Sequence, residues 1–197
     1  MRRLLLGCIR FDHVGVVSVF DMSRPQAPWV VFGSQRDVEI EGQVAALEAA
    51  GGRSYHLQAR DFTDMVSICD AFAAALGFPG YFGRNWDALV DCLDDLHVHE
   101  TGGVGIVVVV HDADVLLCAE DLKVLMTTLC LAADRANTDV DPDGCPRERP
   151  VVIEHFVFLL DEVEVEQFAA RIEDPDLVVE TVDGFLTVTL NLAVWRP

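Results

Sequence analysis

YFGRNWDALVDCLDDL, residues 81–96, starts as a turn and becomes a helix. Phe78, Pro79 and Gly80 break the segment before it, Gly83 allows a backbone conformation that a bulkier residue resists, and Asn85 is a good N-cap. At ~100° per residue, Trp86, Leu89, Val90 and Leu93 fall on one side with Leu96 at its edge, while Asp87, Asp91 and Asp94 cluster away from them. One side is built to pack and the other to present carboxylates. Asp87 is explained by the helix dipole, which stabilises a first-turn carboxylate by ~0.3–1 kcal/mol. Asp91 and Asp94 are not, because Asp in a helix interior costs several tenths of a kcal/mol relative to Ala and no Lys or Arg lies three or four positions away. Such a face suits a positively charged partner.

Upstream, residues 64–76 carry an apolar stripe of Met65, Ile68, Phe72 and Leu76 that predicts a helix, with Thr63 or Asp61 as its cap and Gly77 as its stop. A strand-like run, 54–59, precedes it. Downstream, Gly102-Gly103 leads into 104–110, which is apolar and β-branched throughout, as a strand buried on both faces should be. A helix over 119–136 turns Leu122, Leu125, Met126, Leu129 and Ala133 inward, a loop rich in Asp, Pro, Gly and Arg covers 137–150, and 151–160 reads as a strand. Strand, helix, helix, strand, helix, strand is the order of an α/β layer with a small, mainly parallel sheet of about three strands.

The flanks have a different texture. In 1–52, β-rich runs at 4–11, 14–20 and 29–32 are separated by His13, Pro25 and Pro28, and a short helix over 38–50 stops at Gly51-Gly52. In 161–197, a helical stretch at 165–172 is followed by strands at 177–182 and 185–194, joined by the hairpin turn Asp183-Gly184. The reading is therefore a central domain over 53–160 with N-terminal (1–52) and C-terminal (161–197) extensions whose strands pair into an accessory β-rich region.

Composition bounds the function. Hydrophobic residues make up 51% of the 197, which excludes a disordered chain. With 33 acidic residues against 14 basic ones, the formal net charge of -19 disfavours direct nucleic-acid binding, and serves either solubility or attraction to a basic partner. Cys8, Cys69, Cys92, Cys118, Cys130 and Cys145 form no CxxC pair or zinc-type spacing and read as reduced, mostly buried thiols. Arg2 and Arg3 precede an apolar run too short for an export signal, and no run approaches membrane-spanning length, so a cytoplasmic protein is expected.

Pro79 through Leu93, with Tyr81, Gly83, Asn85, Asp87, Ala88, Leu89, Asp91, Cys92 and Leu93, resembles the signature of the barstar family, intracellular inhibitors of barnase-type ribonucleases. The resemblance extends more weakly over 53–160. It implies a three-layer α/β fold, and an inhibitor rather than an enzyme, needing no cofactor. A guanyl-specific ribonuclease surrounds the scissile phosphate with cationic side chains, so a carboxylate on a rigid helix can occupy that site as an anion mimic. By position, the resemblance makes Asp91 the central inserted acid, Asp87 its flanking acid, and Tyr81, Gly83 and Asn85 the contacting loop. Asp94 stands where the family has a small hydroxyl residue, Val90 and Leu96 stand at aromatic positions, and Asp134 is the candidate for an acid from the third helix. The implied partner is a basic, extracellular-type ribonuclease; the alternative is an interaction module for another basic protein. A third reading takes His97, His99, His111, Asp112 and Asp114 as metal ligands of a hydrolase, but nothing else in the chain supplies a general base, and no metal is expected.

Overall fold

A computed structural model describes residues 19–96, 104–138, 140, 145–147 and 151–195. The expected strands at 4–11 and most of 14–20, together with His97, His99, Gly102-Gly103 and much of the 137–150 loop, lie outside the described residues.

Three strands form the expected parallel core: β2 (Arg53–Gln58), β3 (Gly105–His111) and β4 (Ile153–Leu160), with β3 between the other two. The sheet does not end there. From the N-terminal extension, β1 (Val30–Ser34) lies parallel to β4, Val30 opposite Phe156 and Phe32 opposite Phe158. From the C-terminal extension, β6 (Phe185–Leu190) pairs antiparallel with β1 and β5 (Leu177–Val182) antiparallel with β6. One six-stranded, mostly parallel sheet results, in the order β2-β3-β4-β1-β6-β5. The strands of both extensions continue the central sheet, and Asp183 (φ 52°) with Gly184 (φ 86°) makes the tight turn between the last two.

Side-chain alternation sorts the core into two layers of packing. On one face, Val31, Val107, Val109, Val157 and Leu159 pack with Ile40 and Leu47 of α1 (Val38–Ala49) and with Phe20 and Met22. On the other, Val30, Phe32, Ile106, Val108, Val110, Phe156 and Phe158 meet four helices: α2 (Met65–Leu76), α3 (Trp86–Asp95), α4 (Leu122–Ala136) and α5 (Val165–Ile172). Phe32 stacks on Phe158 at 4.8 Å between ring centroids and meets Phe168 of α5 at 5.0 Å, so aromatic packing ties both extensions to the centre. The architecture is a three-layer α/β/α fold with the candidate helix α3 in the four-helix layer.

Three local expectations need correction. The cap of α2 is Asp64, not Thr63 or Asp61: its carboxylate accepts from the Ser67 amide at 2.8 Å while the Ser67 hydroxyl accepts from the Asp64 amide at 2.9 Å, a reciprocal box that only the third helical position can complete. The helix expected from 119 starts at Leu122, because Ala113–Cys118 winds as a separate 3-10 helix after Asp112 turns left-handed at φ 53°. The last strand ends at Leu190, and Leu192–Trp195 forms a short helical turn, α6, instead of continuing the sheet. Of the five described cysteines, all free, Cys69 and Cys130 are buried, Cys92 is half-buried, and Cys118 and Cys145 are exposed.

Candidate partner-binding site

The connection between α2 and α3 is fixed from both ends. Gly77 closes α2 in the left-handed region (φ 73°), where a side chain would be strained, and Pro79 accepts a hydrogen bond from the Phe82 amide at 3.0 Å. Phe78 and Phe82 meet edge to face at 5.1 Å inside this loop. Arg84 then reaches back to Asp70 on α2, and that carboxylate raises the guanidinium's pKa further. Arg84, not Gly83, takes the positive φ (47°). Gly83 instead lies close to the capping side chain: a Cβ there would sit 3.1 Å from Asn85 Nδ2, which would have to give by a few tenths of an ångström. Asn85 accepts from the Ala88 amide at 2.8 Å, so α3 starts where the sequence places it.

Below the cap, Leu89, Val90 and Leu93 are buried and Trp86 and Leu96 partly so, all against the four-helix core. Burying this face fixes the helix, and the opposite face projects outward. Tyr81 is 84% exposed in the loop, and Gly83, Asn85, Asp87 and Asp91 are exposed as well. Asp91 accepts a long hydrogen bond, 3.4 Å, from Arg135 of α4 while its side chain stays 72% exposed. Asp87 has no ion-pair partner among the described residues, and neither has Asp95, an exposed carboxylate one turn beyond Asp91.

Two expected contact residues are placed differently. Asp94 is engaged from within: Arg147 donates through Nη1 to both its oxygens, at 2.8 and 3.2 Å, with the two side chains only 18% and 13% exposed. Asp134 is buried in α4 at 7% exposure, because its helical position turns it toward the core next to Cys130, so it does not share the exposed surface of α3. Sequence reasoning counted Asp95 among the four aspartates of the helix but gave it no separate role, although it is exposed and lies ~40° around the helix from Asp91. It had no place for Arg147, for which no signal existed, since that residue is 53 positions away from Asp94.

At the C-terminal end of α3, a pocket of about 250 Å³ opens between Phe78, Pro79 and Tyr81 of the loop and Cys92, Asp95 and Leu96 of the helix. Burial, followed by the charges of Asp95 and Asp91, pushes the Cys92 thiol up, away from the thiolate form.

Of the residues in the histidine-based metal reading, His97 and His99 lie outside the described residues, and His111 and Asp114 have other partners. His111 pairs with His56 across the sheet, ring nitrogen to ring nitrogen at 2.9 Å, and Asp114 accepts backbone hydrogen bonds from Asp161, Glu162 and Val163. Among the described residues no group of three or more His, Cys, Asp or Glu side chains is placed to hold a metal ion, and no helix is long and apolar enough to cross a membrane.

No curated protein and no solved structure matches the chain. The family model described as Barstar (barnase inhibitor) matches residues 53–167, from the start of β2 into the first turn of α5. That span is more than half of the chain and contains the capped acidic helix with its rigid entry loop, so the chain belongs to the barstar family.

Proposed function

We propose that this protein is an inhibitor of a guanyl-specific microbial ribonuclease and that α3 and its entry loop enter the enzyme's active-site cleft. At family level the role is that of a barnase inhibitor, and binding of a ribonuclease partner goes with it. The observation that carries the finer reading is the pairing of exposure with rigidity: Asp87 and Asp91 project from a helix whose other face is fully packed and whose start is capped, beside a tyrosine that is 84% exposed. A carboxylate held in this way pays little entropy on binding and can satisfy the cations that otherwise hold substrate phosphate. Substrate is then blocked by shape and by charge, with no covalent step and no cofactor. The net charge of -19 draws in a basic enzyme at long range.

In this reading the contact set is Tyr81, Gly83, Asn85, Asp87 and Asp91, with Asn85 acting mainly through the cap. The protein works in the cytoplasm, where it protects the cell from a nuclease otherwise destined for export. The test is titration of the purified protein against a panel of basic, guanyl-specific microbial ribonucleases, scored by residual RNA cleavage. Stoichiometric loss of activity for at least one enzyme is expected; cleavage unaffected across the panel at micromolar inhibitor rejects the reading.

A further inference from the structure

Helix α3 carries four aspartates, but one of them is already occupied. The Arg147 guanidinium donates to both oxygens of Asp94 and, through Nε, to the Val140 carbonyl at 3.1 Å. Val140 and Pro146 form an isolated antiparallel bridge, and the Thr138 hydroxyl lies 3.3 Å from the Val140 carbonyl and 3.2 Å from that of Arg135. The end of α4 and the residues that bridge back to it therefore carry a guanidinium to the last turn of α3 and hold it there. Arg147 makes with Asp94 the contact that a nuclease's cation makes with an inhibitor's carboxylate. Arg135 approaches Asp91 from the same side, but at a single 3.4 Å contact to a side chain that is 72% exposed, against 18% for Asp94.

We propose that Arg147 is a specificity-determining residue: an internal cation that closes Asp94 to partners, so that the carboxylates offered to a basic cleft are Asp87, Asp91 and Asp95. The proposal rests on the inhibitor reading for its biological setting, whereas the first of its two tests does not. Removing Asp94 from the accessible set shifts the centre of negative charge away from the α4 side of α3 and toward Tyr81 and the pocket rimmed by Asp95. A partner with a cation placed to meet Asp94 finds a guanidinium in its way. One whose cations are spaced along the exposed row meets no such obstacle. Repulsion at one position and attraction at three others is how a charged interface discriminates among related cationic partners.

Two measurements decide it. In the first, the full chain is titrated with hexaamminecobalt(III), a compact trivalent cation, while the aspartate side-chain carboxyl carbons are followed by NMR. The Asp87, Asp91 and Asp95 resonances are expected to move and that of Asp94 to stay. R147M, which keeps the stem and removes the charge, is expected to add Asp94 to the responding set, and R147K to restore the parental pattern. An Asp94 resonance that stays silent in R147M would show that burial and not the guanidinium closes this carboxylate, and that result overturns the proposal, as does an Asp94 response in the parent equal to that of Asp91. In the second, D94N is compared with D91N for affinity to an inhibited ribonuclease from the panel. D94N is expected to change affinity by less than about threefold, as for a residue outside the binding hot spot; a loss matching that of D91N overturns the proposal. If no ribonuclease is bound by the parent chain, the inhibitor reading fails and the cation titration alone decides the role of Arg147.

Discussion

At Asp91 and Asp94 the same side chain on the same helix meets two different surroundings, and the difference lies in a residue far away in sequence. Asp91 was legible as an exposed acid because helical periodicity places it opposite Leu89 and Leu93, both of which are buried. Asp94 obeys the same periodicity, yet it is closed by Arg147, and no local pattern announces a partner from another part of the chain. Asp114 makes the same point: the sequence offered it as a metal ligand, and the fold gives it three backbone donors at 2.8, 3.0 and 2.6 Å. Burial pushes its carboxyl pKa up, but the amides of Asp161, Val163 and Glu162 together outweigh this and hold it below the ordinary carboxylate value. A depressed folded pKa means that the contribution is present above the unfolded value and is lost as pH falls through the folded one. Asp114→Asn is therefore expected to destabilise the protein by about 1–2 kcal/mol at pH 7 and by less at a pH below the ordinary carboxylate value, measured by urea unfolding at both. An equal loss at both pH values would show that the charge does not contribute.

Helix α3 is the element on which the functional reading depends, and its start is set by one side chain. Asn85→Ala removes the acceptor for the Ala88 amide and should cost about 1 kcal/mol, read as a shift in urea midpoint at unchanged slope. A larger effect on partner affinity than on stability would place Asn85 in contact with the partner as well. The existence and boundaries of this helix were clear from the cap and the amphipathic period. Its entry loop was not: the left-handed residue is Arg84, held by Asp70 on the neighbouring helix, where glycine was the natural choice. The ends of the other elements show the same limit. The capping box of α2 depends on Ser67 as much as on Asp64, and the 3-10 segment before α4 follows from the left-handed turn at Asp112. Period predicts that an element exists, whereas contacts between elements place its ends.

For the whole molecule, the alternation of strands and helices between β2 and β4 made the parallel core readable, since such an order has few chain-consistent solutions. The position of β1 was not readable, because its partners Phe156 and Val188 are more than a hundred residues away in sequence and register with them is settled only in three dimensions. The consequence is physical. β1 supplies Phe32 to the core, and β6 supplies Leu186 and Val188 to the same cluster. The fragment 53–167 lacks all three, and it is expected to show no cooperative thermal transition by circular dichroism; a sharp transition near that of the full chain would mean that the extensions are ornaments. Phe32→Ala in the full chain should cost about 3–5 kcal/mol, because deleting this fully buried ring leaves a cavity in the core.

The central claim is that an exposed carboxylate on a rigid helix substitutes for substrate phosphate, and the residue that carries the claim is Asp91. The most direct measurement is the equilibrium affinity of the parent chain and of Asp91→Ala for one inhibited guanyl-specific ribonuclease, with the stability of both proteins recorded alongside. The account predicts a loss of at least about 30-fold, ~2 kcal/mol, with little change in the unfolding midpoint, as expected for a hot-spot side chain whose one ion-pair contact among the described residues is loose. An alanine variant that binds as tightly as the parent would contradict it.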